Sequence, residues 1–519
     1  GYRHAAAGRP PPVTAHKGVP LGVVALYTQV FDVPSSSQDD TQGTDEVITT
    51  VDSQGSMSAA GERVVLLTRA ARKGEASSPE AYVAWEKELT NFKDHRVWDP
   101  EPVGRDATSR CEDFSVVRTH KHQACRETKA RLVGRGDIGK TRAGEHVVET
   151  DDLWAPVAQL STVQIVQALG VSLGLKVESL DITSAYLQAE LRTSDEYYVI
   201  IPSQVLQFLS PEEITRHRAC PDPVYRLRKA LYGLQRSAYD WISTLLDLLR
   251  EKGWISTHTD PALLYRDVDG TREFISVYVD DLMIAAPPQR LKHCWDEIKG
   301  RFIAGDPEAA REYIGVRFGQ GGEDGCAHSV DMRDYAATLV AGYRNDPLGK
   351  QAKRSEVPMS AEGAKQLIWS AVDPERQRTG PKLLKRVQGY LGKLLWLSRT
   401  ARPDLSHATT LLASNASVWD DNAGRELGRM IAYLETYPGT CLGYVRRSKK
   451  TWTPQSLKLR LYVDASLQAP RSYSGAALVI VAPDGTEALI DWYSRRQKLG
   501  VTSSMMAELV GIAEGIATF

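Results

Sequence analysis

The stretch Phe274-Ile275-Ser276-Val277-Tyr278-Val279-Asp280-Asp281-Leu282-Met283-Ile284-Ala285-Ala286 sets two β-prone apolar runs on either side of two adjacent aspartates. This pattern predicts a β-hairpin with its charge at the tip. Asp tolerates the positive φ that tight hairpin turns require, so the turn can form while lifting the carboxylates out of the apolar layer. Two anions held this close repel each other, and the arrangement makes most sense if a divalent cation neutralises them. An ordinary Asp-Asp turn has the same local sequence, so the flanking chain must decide between the two.

A further carboxylate lies upstream in Val177-Glu178-Ser179-Leu180-Asp181-Ile182-Thr183-Ser184-Ala185-Tyr186-Leu187. The pattern reads as a strand ending near Asp181 and a helix starting near Ser184, with Thr183 or Ser184 as its cap. Chemistry in α/β proteins gathers at strand ends, so Asp181 is well situated to share a metal with the hairpin pair, although a lone Asp there is more often a cap. Between the two segments, Trp241, Leu245, Leu248 and Leu249 before Gly253 form the core face of a helix with a C-terminal glycine, and no chemistry is assigned to it.

The 519-residue chain is too long for one core and predicts about three units. Its 42% hydrophobic and 25% charged residues suit a globular protein and exclude wholesale disorder or a fibrous chain. No apolar run is long enough to cross a membrane and the first residues lack a secretion signal, so the expected setting is intracellular with no membrane partner. The 6 cysteines lack CxxC spacing and read as reduced thiols; a ligand set of Cys111, His120, His122 and Cys125 matches no common metal knuckle. The formal net charge of -1 does not announce a nucleic-acid binder, but local charge does better. Arg118, Lys121, Arg126, Lys129, Arg131, Arg135, Lys140 and Arg142 stand against only Glu127 and Asp137, a strip suited to a polyphosphate and equally to a solvated loop.

Residues 1–78 read as a disordered linker or tail, and folding is expected to begin with a helix placing Tyr82, Trp85 and Leu89 on one face. Strand-like and helical runs alternate from about 150 to 340, which predicts an α+β or α/β core. Residues 344–380 read as a connecting segment. Residues 382 to about 437 read as helical, carrying Leu384, Val387, Tyr390, Leu391, Leu394, Leu395 and Leu397.

Taken together, Leu180-Asp181-Ile182-Thr183-Ser184-Ala185-Tyr186-Leu187 and Tyr278-Val279-Asp280-Asp281 resemble the two catalytic palm motifs of reverse transcriptases. Trp154-Ala155-Pro156-Val157-Ala158, Val224-Tyr225-Arg226-Leu227-Arg228-Lys229-Ala230-Leu231-Tyr232-Gly233-Leu234-Gln235 with Trp241, and Asp260-Pro261-Ala262-Leu263-Leu264-Tyr265 resemble the copia-type LTR-retrotransposon Pol signature in order and with similar spacing. Lys129-Ala130-Arg131-Leu132-Val133-Gly134-Arg135-Gly136 resembles its basic fingers motif, and Tyr313-Ile314-Gly315-Val316 its primer-contacting hairpin. Gln388-Gly389-Tyr390-Leu391-Gly392-Lys393-Leu394-Leu395-Trp396 and Thr400-Ala401-Arg402-Pro403-Asp404-Leu405 resemble segments beyond the polymerase core.

The resemblance implies an α+β right-hand polymerase with an antiparallel palm sheet: fingers and palm over 79–343, a largely helical thumb and connection over 344–455, and part of an RNase H-like domain over 456–519. It further implies an RNA- and DNA-directed DNA polymerase. Asp181, Asp280, Asp281 and the Ile182 carbonyl would bind two Mg2+ ions, with Mn2+ as a substitute. Lys129 and Arg131 would clamp the triphosphate, Tyr186 would exclude a ribose 2′-hydroxyl, and Gly233 would let the backbone approach the nucleotide. The implied partners are an RNA or DNA template, a primer strand and dNTPs. The implied locations are cytoplasm, virus-like particles and nucleus. A catalytically inactive nucleic-acid-binding remnant of a decayed element is the rival reading.

Toward the end, Leu459-Arg460-Leu461-Tyr462-Val463-Asp464-Ala465-Ser466, Ser474-Gly475-Ala476-Ala477-Leu478-Val479-Ile480 and Ala488-Leu489-Ile490-Asp491-Trp492-Tyr493 predict three antiparallel strands. A helix opening at Ser503-Ser504-Met505-Met506-Ala507-Glu508-Leu509 would let Glu508 face Asp464. By resemblance these two acids are a partial RNase H metal site. The family's later strand, third aspartate and last helix do not appear before Phe519, so this RNase H is expected to be incomplete and inactive.

Overall fold

The computed structural model describes residues 68–70, 79–105, 110–121, 127–134, 140–141, 153–194, 196–201, 203–321, 327–349, 354–371, 375, 377–447, 450–468 and 471–519. The expected tail, most of the basic strip and the Cys111, His120, His122, Cys125 set lie largely outside what is described. Among the described residues no helix is long and apolar enough to cross a membrane. Cys220, Cys294 and Cys441 are free thiols.

The two aspartates sit at one end of a six-stranded sheet. Its order is Glu308–Ala309, Lys176–Asp181, Asp281–Ala286, Thr271–Tyr278, Leu263–Val268 and Ile255–Ser256, every neighbour antiparallel. Side chains alternate across a strand, and here both faces are covered, which is why the hairpin arms read as continuous apolar runs. Ile275, Val277, Leu282, Ile284 and Ala286 pack with Trp241, Leu245 and Leu249 of the helix Ser237–Glu251 and Leu291, Trp295 and Ile298 of the helix Pro288–Lys299. On the opposite face Phe274, Met283, Ala285 and Val177 meet Val163, Val166 and Val171 of the helix Leu160–Leu173.

Far from the aspartate end, the first of these layers encloses charge. Arg266 and Glu273 are cross-strand partners, 5% and 0% exposed, paired at 2.6 Å. Glu297 reaches Arg266 at 2.9 Å, Arg290 reaches Glu273 at 2.9 Å, and the Trp254 ring lies 4.3 Å from the Arg266 guanidinium. Burial alone would raise the Glu273 carboxyl, but the hydrogen bonds and charges of Arg290 and Arg266 outweigh it and hold it below the ordinary 4.5. A depressed carboxyl stabilises the fold fully above its unfolded value, and that contribution is lost as pH falls through the lower folded value. Glu273→Gln leaves the buried Arg266 with Glu297 as its one remaining carboxylate partner in this network and is expected to destabilise the protein by about 3 kcal/mol at pH 7. The gap from the parent in thermal melting should narrow below pH 4.5. Equal melting temperatures at pH 7 would contradict this account of the network.

A second sheet runs Thr68–Ala70, Arg110–Lys121, Tyr198–Ile200, Pro223–Arg226 and Val103–Gly104, with Glu127–Gly134 and Lys140–Thr141 also paired to Arg110–Lys121. The helix Pro79–Asp94 buries Trp85, Leu89 and Phe92 against Ala130 and Leu132 of this sheet. Tyr82, expected on that face, is half exposed and lies tilted against Phe208, with ring centroids 4.7 Å apart.

Beyond the six-stranded sheet, Glu312–Tyr313, Val316–Gly321, Ala327–Asp331 and Leu442–Val445 form a four-stranded sheet that straddles residue 344. The helices Pro381–Thr400, Ser406–Ser414 and Asp421–Thr436 pack beside it, the first ending just before Pro403. The polar 344–380 segment read as a connection holds a helix, Ala361–Ser370. Its signal was short: Leu367 and Ile368 are buried, and the Ser360 hydroxyl caps it by accepting the Gly363 N–H at 3.0 Å. Last come three antiparallel strands, Lys458–Ser466, Tyr473–Val481 and Glu487–Arg496, and the helix Ser504–Thr518 capped by Ser503.

Candidate active site

Strand register brings the acids together. Asp181, the last residue of Lys176–Asp181, is the direct antiparallel partner of Asp281. Opposed residues have Cβ atoms about 4.5–5.5 Å apart, so the two carboxylates rise from the same spot on the sheet. Tyr278 pairs with Asp281, which leaves Val279 and Asp280 as the hairpin's two loop residues. The Ile182 N–H donates to the Asp280 carbonyl at 2.8 Å and closes the two segments together. In an extended residue N–H and C=O share an edge, so the Ile182 carbonyl faces the hairpin as well.

The sequence placed the positive φ of this turn on the aspartates, and the structure corrects that. Val279 has φ 55°, while Asp280 does not enter that region. Hairpin turns demand positive φ at their first central position, and that position is Val279. A β-branched residue there is strained. Two side chains grip this backbone, through hydrogen bonds that sequence reasoning did not foresee. The Trp241 indole N–H donates to the Val279 carbonyl at 2.7 Å, and the Tyr313 hydroxyl lies 3.0 Å from the Asp281 carbonyl and 3.1 Å from that of Ser276. Burial raises the Tyr313 phenol well above its ordinary value, so it stays a neutral donor.

Asp181, Asp280, Asp281 and the Ile182 carbonyl make an all-oxygen donor set, which fits a hard cation such as Mg2+ or Mn2+. Among the described residues no three His, Cys, Asp or Glu side chains are already gathered into a cage. The backbone supplies the convergence, and side-chain rotation is what remains to aim the oxygens at a common ion.

Beside the acids, Tyr186 sits in the one-turn helix Ala185–Gln188. Ser184, expected as its cap, occupies the N-cap position with φ 52° and makes no side-chain cap bond; its hydroxyl accepts from the Asn91 amide at 2.8 Å. The Tyr186 ring meets Tyr232 nearly edge-on at 5.2 Å, and the Arg131 guanidinium lies 5.0 Å from the Tyr232 ring centroid. Glu88, 5% exposed, holds Arg131 at 3.4 Å and accepts the Leu132 N–H. Burial raises the Glu88 carboxyl against the opposing pull of Arg131. Burial also pushes the Tyr232 phenol up to about 12, with the Asp280 charge adding to the shift. Glu88, Arg131, Tyr232 and Tyr186 thus form a chain of contacts leading toward the aspartates, and nothing local to Glu88 or Tyr232 in the sequence marked their part in it. The Lys129 backbone pairs with Thr119, while its side chain lies outside the described residues.

Gly233, expected to admit a nucleotide closely, makes a close approach to the protein itself. Its φ is 89°, an added Cβ would stand 2.2 Å from the Gly134 carbonyl oxygen, and the adjacent Tyr232 carbonyl accepts the Gly134 N–H at 2.8 Å. Gly233→Ala therefore combines backbone strain with a clash and is expected to cost about 3 kcal/mol, read as a fall in melting temperature. A variant that melts like the parent would contradict this packing role.

In the last unit, Asp464 lies on the first strand opposite Gly475 and Glu508 on the helix. Burial raises the Glu508 carboxyl; the Ala465 N–H opposes the shift and the nearby Asp464 charge adds to it. The two acids are therefore neighbours.

Residues 105–344 match the family model described as reverse transcriptase (RNA-dependent DNA polymerase). The chain is similar to the retrovirus-related Pol polyprotein from transposon RE2 of Arabidopsis thaliana, 28% identical over 433 residues, covering 81% of this chain and 26% of that one. It is also similar to the Pol polyprotein from transposon TNT 1-94 of Nicotiana tabacum, 22% identical over 396 residues, covering 74% and 27%. The chain thus spans about a quarter of the length of these relatives. Among solved structures, the prototype foamy virus protease-reverse transcriptase aligns with 85% of this chain and 66% of that chain at 12% identity and a TM-score of 0.25, too loose to weigh. The copia-type Pol resemblance read from the motifs agrees with these matches.

Proposed function

We propose that this chain, which carries a reverse-transcriptase region over residues 105–344, extends a primer 3′-hydroxyl with dNTPs on an RNA or DNA template. The observation that carries the reading is the register pairing of Asp181 with Asp281, with Asp280 in the adjoining turn. Two Mg2+ ions, or Mn2+, held by Asp181, Asp280, Asp281 and the Ile182 carbonyl would supply Lewis-acid activation of the hydroxyl and neutralise charge on the leaving pyrophosphate.

The remaining tasks fall to side chains around the acids. Arg131, stacked on Tyr232 and tethered by Glu88, is pre-positioned to meet a triphosphate, with Lys129 of the same strand as a second cation. Tyr186 closes the sugar side, where a ring would collide with a 2′-hydroxyl. Gly233 serves this site by bringing the Tyr232 turn hard against Gly134. Asp464 and Glu508 would form part of a second metal site acting on RNA in a hybrid duplex.

Extension of oligo-dT on poly-rA with dTTP and Mg2+ tests the reading. Template-dependent extension is expected; binding of the duplex with no extension under Mg2+ or Mn2+ would favour the inactive nucleic-acid-binding remnant.

A further inference from the structure

The hairpin that carries Asp280 and Asp281 does not hold its shape by local preference. Val279 adopts φ 55°, which a β-branched side chain disfavours, and such strain persists only where surrounding contacts over-determine it. The contacts come from two directions. From the helix Ser237–Glu251, the fully buried Trp241 donates its indole N–H to the carbonyl of the strained residue itself, at 2.7 Å. From the hairpin formed by Glu312–Tyr313 and Val316–Gly321, the buried Tyr313 sets its hydroxyl between the Asp281 and Ser276 carbonyls, one on each arm of the aspartate hairpin. Tyr313 belongs to a turn that is itself tightly set, with Ile314 and Gly315 at φ 48° and 74°.

We propose that Trp241 and Tyr313 are positioning residues that clamp the strained Val279-Asp280 turn from opposite sides and so set the spacing of the carboxylates that bind the divalent ions. This rests on the metal-dependent polymerase reading above. A buried Trp or Tyr usually finds some hydrogen-bond partner, and that bland account predicts only a packing role. The clamp differs because both acceptors lie on the backbone that carries the acids. It also links the aspartates to the turn at Tyr313-Ile314-Gly315-Val316, so a shift of that turn would be felt at the metal site.

The test is Mn2+ titration of the full chain, read by electron paramagnetic resonance of free Mn2+, alongside thermal melting and primer-extension kinetics. Asp280→Asn serves as the reference that defines binding at this site. Trp241→Phe and Tyr313→Phe, each removing one donor and keeping the ring, are expected to weaken the Asp280-dependent binding about tenfold, the equivalent of one ordinary hydrogen bond. The kcat for extension should fall while the KM for template-primer stays within twofold or so. Val279→Gly removes the strain, so adding it to Trp241→Phe is expected to restore most of the lost affinity. Unchanged Mn2+ affinity in both Phe variants, with or without lower melting temperatures, overturns the clamp. If Trp241→Phe does not fold, Tyr313→Phe and Val279→Gly still decide, since a clamp that works against strain requires Val279→Gly to keep parental affinity. If Asp280→Asn binds Mn2+ as the parent does, the carboxylate reading fails and the clamp fails with it; intact binding without extension overturns only the polymerase reading.

Discussion

Asp280→Asn is expected to lower the rate of primer extension by about a thousandfold, roughly 4 kcal/mol of transition-state stabilisation, and to leave the fold intact. The fold survives because Asp280 contributes to it through its backbone carbonyl, which accepts the Ile182 N–H, and the substitution preserves that atom. The side chain is only half-buried. What the amide cannot do is supply negative charge to an ion. Asp181→Asn should show a comparable loss, and the double variant should be scarcely worse than either single one, because groups that act as a unit are not additive. There is a second signature. Asp181 and Asp281 stand directly opposite on neighbouring strands, where like charges destabilise a sheet. Without divalent ions, Asp181→Asn should therefore melt at or slightly above the parent temperature, and added Mg2+ should raise the melting temperature of the parent more than that of the variant. Extension rates within a few-fold of the parent for both single variants would remove these residues from the chemistry.

The second large effect concerns sugar choice. Tyr186 is fixed edge-on to Tyr232, which is fixed beneath Arg131, which is fixed by Glu88. A ring held this firmly cannot swing aside without cost, so a 2′-hydroxyl entering its space meets overpacking worth about 1–3 kcal/mol. Tyr186→Ala empties that space. The ratio of UTP to dTTP incorporation on poly-rA is expected to rise about 10–100-fold, with dTTP incorporation itself nearly unchanged. Measuring both nucleotides in single-addition assays separates this outcome from general damage. A constant ratio would mean that the ring does not police the sugar.

The hairpin was legible because its two β-prone apolar arms flank a pair of aspartates, and the upstream segment because it reads as a strand ending near Asp181 with a helix start just after it. Their register was not written in either segment; it follows from pairing across a hundred residues of chain. The strained turn was misread locally: Asp is the residue that tolerates positive φ, yet turn position assigned it to Val279. Trp241 looked like one more core residue of an amphipathic helix, and only the fold shows where its N–H goes. Gly233 likewise had a visible conformational demand, but the Gly134 carbonyl that enforces it lies on a distant strand. Ser184 shows the same limit, since a good capping residue gave its hydroxyl to Asn91 instead. In each case the local chemistry was readable and the non-local partner was not.

Everything proposed for this site requires one divalent ion to be shared by Asp181 and the Asp280-Asp281 pair. Crystals of the chain soaked in Mn2+ and measured at the manganese absorption edge locate it directly by anomalous scattering. A peak is expected within coordination distance of carboxylate oxygens from both Asp181 and Asp280. Manganese bound elsewhere, or held by the hairpin acids with Asp181 turned away, would contradict it.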